Sequence, residues 1–92
     1  MINEKFSDFL NSLYTSPEIE HTFRGKTYFL EWWTNKDSTY TITLFICYEK
    51  NSLIFEETFP TLRECIEYYK KAKCYEGLTI YQAEKEIEVL FG

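Results

Sequence analysis

Between residues 18 and 58 the apolar side chains recur at every second position, and the pair Arg24-Gly25 interrupts the run early. A period of two is β-strand spacing, in which successive side chains point to opposite faces of a sheet. Gly25 supplies the positive φ of a two-residue hairpin turn. Such a turn pairs Thr22 with Thr27, His21 with Tyr28 and Ile19 with Leu30. One face then carries Ile19, His21, Phe23, Tyr28, Leu30 and Trp32; the other carries Glu20, Thr22, Thr27, Phe29, Glu31 and Trp33. The adjacent tryptophans must part company. Trp32 is expected in the core and Trp33 on the face that the core does not use.

The alternation continues beyond the polar loop at 35–38. Tyr40, Ile42, Leu44, Ile46 and Tyr48 take the apolar side of the next strand, with Thr39, Thr41, Thr43, Phe45, Cys47 and Glu49 opposite. A turn at Lys50-Asn51 leads to a fourth strand, where Leu53 and Phe55 continue the core face and Ile54 and Glu56 the other. Strands near 19–23, 27–34, 39–48 and 53–58 therefore form an antiparallel meander.

On either side the period lengthens to that of a helix. Phe6, Phe9, Leu10 and Leu13 mark a helix near 3–14, ended by Ser16-Pro17. Leu62, Cys65, Ile66 and Tyr69 mark another near 62–75, opened by the capping pair Thr61/Glu64 and stopped by Gly77. Thr79 and Gln82 repeat the capping pattern, and Ile80, Ala83, Ile87 and Leu90 continue a helical face. The last five residues fit helix or strand equally. The expected fold is α+β, a single domain over 1–92. An N-terminal helix precedes a four-stranded antiparallel meander, and C-terminal helices pack on one sheet face. Its core is expected to contain Phe6, Leu10, Leu13, Leu30, Trp32, Ile42, Leu44, Ile46, Phe55, Leu62, Ile66 and Tyr69.

Composition excludes several functions. At 45% hydrophobic and 20% aromatic, the 92 residues are too apolar for a disordered chain. A net charge of −5 opposes direct nucleic-acid binding, which needs a surplus of Lys and Arg. The opening residues lack the apolar run of a signal peptide, and no stretch is long enough for a membrane span. The three cysteines have no C-x-x-C spacing, so neither a disulfide framework nor a zinc site is indicated, and a reducing cytoplasm is expected. Cys65 reads as a small core residue and Cys74 as a surface thiol; nine positions apart on a helix, they cannot share a metal. The single histidine, His21, falls on the core face, away from Cys47. No catalytic residue, cofactor site or metal site is expected.

What stands out is the other face. Phe29, Trp33, Phe45 and Ile54 lie there among threonines and the carboxylates of Glu31 and Glu56. An open sheet face normally carries polar residues, and a contiguous exposed apolar patch marks an interaction surface. The expected function is a cytoplasmic, non-enzymatic protein-binding module. Its anchors are Trp33, Phe29 and Phe45, Ile54 adds to the contact surface, its rim is Glu31 and Glu56, and its partner is another protein or a second copy in a homodimer. In size and acidity the chain resembles small phage-encoded inhibitors of bacterial defence enzymes, a likeness of class that no motif carries. It implies an alternative: an acidic inhibitor, from a phage or other mobile element, that blocks a basic groove of a nucleic-acid-binding enzyme.

Overall fold

The computed structural model describes residues 1–50 and 52–92. The order of elements is α1 (Phe6–Ser12), β1 (Glu18–Phe23), β2 (Lys26–Thr34), β3 (Tyr40–Ile46), β4 (Leu53–Phe59), α2 (Leu62–Lys71), α3 (Ile80–Ala83), a 3-10 turn (Glu84–Glu86) and β5 (Ile87–Phe91). The fold is α+β, with one five-stranded antiparallel sheet in the order β4-β3-β2-β1-β5. The expected meander is present. A fifth strand, which the sequence left open, closes it at the β1 side.

The hairpin that set the register forms as its sequence requires. Arg24 and Gly25 both take positive φ, 48° and 80°, the geometry whose twist matches the flanking strands. Ile19 faces Leu30, His21 faces Tyr28 and Thr22 faces Thr27. Arg24 also bonds Glu86 through Nε and Nη2, at 3.0 and 2.9 Å, tying the turn to the start of β5.

All three helices bury their apolar sides against one sheet face. Phe9 and Leu13, then Cys65, Ile66 and Tyr69, then Ile80 and Ala83 join Ile19, Phe23, Tyr28, Leu30, Ile42, Leu44, Phe55 and Ile87 in one cluster. Both capping boxes are made, Thr61 with Glu64 and Thr79 with Gln82. Of the expected core, Leu13, Leu30, Ile42, Leu44, Phe55, Ile66 and Tyr69 are buried. Phe6, Leu10, Trp32, Ile46 and Leu62 are only partly buried and pack at its margin. Trp32 faces the helices as expected, but at the sheet's end, where its indole N–H donates to the Leu13 carbonyl at 2.9 Å.

Several expectations need correcting. The first helix is shorter than 3–14 because residues 1–3 are drawn to β5. The Ile2 N–H donates to the Ile87 carbonyl at 2.9 Å. The Asn3 side chain donates to the Val89 carbonyl at 2.6 Å and accepts its N–H at 3.0 Å. The helix expected to reach residue 75 stops at Lys71, since Ala72 is extended and the chain turns inward. Tyr75 and Cys74 are thereby buried, so Cys74 is not a surface thiol. Gly77, φ 87°, does not end that helix; with Glu76, φ 54°, it makes a tight turn closed by paired backbone bonds between Tyr75 and Leu78.

β3 ends at Ile46, not residue 48, and Tyr48, with φ 67°, is 93% exposed rather than on the core side. The turn expected at Lys50-Asn51 lies in part outside the described residues, at Asn51. Residues 87–91 form a strand, so Ile87 and Leu90 do not share a helical face; Ile87 is buried and Leu90 half-exposed.

Candidate binding face

Among the described residues no helix packs on the second face of the sheet. Along β1 the buried positions are Ile19, His21 and Phe23, so Glu18, Glu20 and Thr22 point the other way. Their register carries the same assignment across every strand. Trp33 is 38% exposed on this face, and the helices cover the side of Trp32.

Two irregularities in pairing shape what this face presents. Between β3 and β4 the register shifts at Leu44/Phe45, leaving Ile54 without a partner. Between β1 and β5 it shifts at Glu20/His21, leaving Leu90 unpaired. A bulge adds one residue to a strand and reverses the parity of all that follow. Leu53 therefore sits opposite Phe45, and Phe91 opposite Glu20. Both would face the helices without the bulges. Leu53 belongs to the open face, correcting its expected place in the core; it is 57% exposed and Phe91 51%.

The result is one row crossing all five strands: Leu53, Phe45, Phe29, Glu20, Phe91. The Phe29 and Phe45 rings lie 5.3 Å apart between centroids, and Phe29 and Phe91 lie 6.4 Å apart. With strands about 4.8 Å apart the row runs about 19 Å. A second row, two residues along, holds Glu18, Glu31, Thr43 and Glu56.

Of the six residues expected to make contact, the structure brings Phe29 and Phe45 together, with Glu31 and Glu56 in the neighbouring row. It does not bring Trp33 to them. Trp33 lies four residues from Phe29 along β2, about 13 Å away, in a third row with Thr41 and Thr58. There its indole N–H donates to Asn35 Oδ1 at 3.0 Å, and Asn35 Nδ2 donates to Thr39 and Thr41 at 3.0 and 2.9 Å. Ile54 is half-buried in the bulge. Leu53, Phe91, Glu18 and Glu88 were missed, and Glu20 was placed on this face but not among the contact residues. No glycine or proline marks either bulge in the sequence, so simple alternation carried the wrong parity to Leu53, and residues 87–91 had no strand parity to carry.

Elsewhere the reactive side chains are occupied. His21 is fully buried. Its Nδ1 faces the Ile19 carbonyl at 3.2 Å, which can only accept, so Nδ1 carries the proton. Nε2 then accepts from the Tyr75 hydroxyl at 2.7 Å, and Tyr69 donates to Tyr75 at 2.6 Å. Burial pulls the His21 pKa down to about 4 and raises those of Tyr69 and Tyr75. Burial also raises the Cys47 and Cys65 thiols and pushes Cys74 up to about 12, which keeps them protonated near neutrality.

A shallow groove of about 340 Å³ between β4 and α2 is lined by Phe59, Glu64, Glu67, Tyr68 and Lys71. Glu64 is engaged in the Thr61 capping box and Glu67 pairs with Lys70 at 3.5 Å. No group of three or more potential ligands clusters in a metal-holding arrangement among the described residues. No helix among them is long and apolar enough to cross a membrane.

Fold and face together define a two-layer α+β protein with an aromatic, uncovered sheet surface. Comparison with models of protein families, with curated proteins and with solved structures gives no match.

Proposed function

We propose that this chain is a small non-enzymatic protein-binding module of the reducing cytoplasm, and that its contact surface is the open sheet face. Phe29 and Phe45 are the central anchors, Glu31 and Glu56 the polar rim, and Trp33 and Ile54 lie at the flanks. One observation carries this reading: the row Leu53, Phe45, Phe29 and Phe91 lies on a face that no helix covers. Aromatic side chains on a rigid sheet supply contact area at little entropic cost, and apolar anchors dominate binding energy. The bulges support it further, since each turns an apolar residue outward that regular pairing would have buried.

Catalysis finds no support. The one imidazole is hydrogen-bonded at both nitrogens. Burial first, then the neighbouring Glu20 at Cys47 and Glu64 at Cys65, hold those thiols in the protonated form rather than as nucleophilic thiolates. Nor does nucleic acid, because the face offers carboxylates where phosphates require cations.

The test is Phe29→Ser combined with Phe45→Ser. Both side chains point away from the core, so the circular dichroism spectrum should stay that of the folded chain, while loss of the ring contact across β2 and β3 lowers the unfolding midpoint. Capture of the partner, whether another protein or a second copy, should be lost. Unchanged capture by a folded double variant would sink the proposal.

A further inference from the structure

The charge on the open face names the chemistry of the partner. Glu18, Glu20, Glu31, Glu56 and Glu88 lie on it, Glu88 by its pairing with Thr22. No Lys or Arg of the five strands does; Lys26 pairs with Phe23 and so belongs to the helix side. The chain holds 15 carboxylates and 10 Lys and Arg. By strand position this face holds five carboxylates and no Lys or Arg, a charge equal in size to the net −5 of the whole chain. Glu20 sits inside the aromatic row and Glu18, Glu31 and Glu56 run beside it, two residues along each strand, about 7 Å away.

We infer that the open face docks a cationic protein surface, an apolar stripe flanked by Lys and Arg, and not a second copy of this chain. The inference rests on the reading of that face as the contact surface. Apolar side chains of the partner cover Leu53, Phe45, Phe29 and Phe91, and its cations stand over the glutamates. Face-to-face pairing of two copies would instead bring together ten strand carboxylates with no Lys or Arg from the strands between them, and like charges in an interface are strongly disfavoured. Pairing through strand edges is also obstructed. On β5, Ile2 and Asn3 already occupy the outward groups of Ile87 and Val89. On β4, Glu56 and Glu57 are both exposed at the edge, an arrangement that discourages strand addition.

The probe is a 14-residue amphipathic peptide of Leu and Lys, with a Leu/Glu peptide of the same pattern as its counterpart. Light scattering first establishes the state of the chain alone, which should be monomeric at moderate salt. NMR titration with the Leu/Lys peptide should then move the amide signals of Phe29, Phe45 and Phe91, with affinity weakening steeply as salt rises. Glu31→Lys with Glu56→Lys should weaken binding at least tenfold. Asp8→Lys with Glu67→Lys, in α1 and α2, makes the same change of net charge on the helix side and should alter it less than twofold. Equal loss in both variants would mean attraction to overall charge alone and overturns the inference. So does equal binding of the Leu/Glu peptide, or no binding of either. A dimer dispersed by Phe29→Ser overturns the cationic partner while sustaining the face. Signals shifting only on the helix side overturn both.

Discussion

The Tyr75 hydroxyl donates to Nε2 of His21 across 2.7 Å, joining residues 54 positions apart at the centre of the helix-side core. Tyr69 donates to Tyr75 in turn, and His21 passes the chain on to the Ile19 carbonyl. This line of bonds links α2, the 74–78 turn and β1, and no buried side-chain polar atom among the described residues lacks a partner.

Stability should therefore depend on pH through His21. Unfolded, the imidazole takes up a proton near its ordinary 6.5; folded, it resists until about 4. Between those values protonation favours the unfolded chain. The contribution is fully present above about pH 6.5, and on the order of 3 kcal/mol is lost as pH falls towards 4. Urea denaturation between pH 7.5 and 4 should show this decline, and His21→Phe, though less stable at pH 7, should show a flatter one.

The direction of the hydrogen bonds ranks two substitutions. Tyr75→Phe deprives His21 of a donor and Tyr69 of an acceptor, at about 1–3 kcal/mol for each orphaned group. Tyr69→Phe removes only an incoming bond, since Tyr75 still donates to His21, and should cost about 1 kcal/mol. Denaturation midpoints measured at one pH check the sizes. With the bonds reversed, Tyr69→Phe would orphan the Tyr75 hydroxyl and cost about 1–3 kcal/mol, so a Tyr69→Phe loss well above about 1 kcal/mol would contradict the assigned direction.

Asn3 covers a sheet edge with one side chain. Asn3→Ala should leave global stability within about 1 kcal/mol, because the Val89 groups it releases can turn to water. Hydrogen exchange at the Val89 amide should nevertheless quicken well above that at Tyr28 in the sheet centre. Propensity to aggregate should rise, since a strand edge is exposed.

At the β1–β2 turn the requirement is conformational. A β-carbon on Gly25 would meet nothing within 4 Å, so the barrier to substitution is its φ of 80° and not space. Gly25→Ala should cost about 1–2 kcal/mol. Gly25→Asn should cost clearly less, because asparagine tolerates the left-handed region. Thermal melts of the two variants make the comparison; equal losses would point to crowding.

Much of this protein follows from short-range pattern. The β1–β2 register, the opposed tryptophans and both capping boxes depend on side-chain period and on neighbours a few residues apart, so they were legible before any fold was known. Residues 87–91 were not. "EIEVLF" satisfies both periods, and only the free edge of β1, with Ile2 and Asn3 arriving from the other end of the chain, makes it a strand. Tyr75 likewise leaves its helix because His21 and Tyr69, distant in sequence, offer it bonds. The candidate face divides along the same line. Its outward parity at Phe29 and Phe45 is a property of local alternation. Its apolar row and its isolated charge are properties of pairing, because a bulge arises where two strands meet and no single strand records it. What the sequence determined by itself was which residues share a face; which faces meet, and where the parity breaks, required the strands to be side by side.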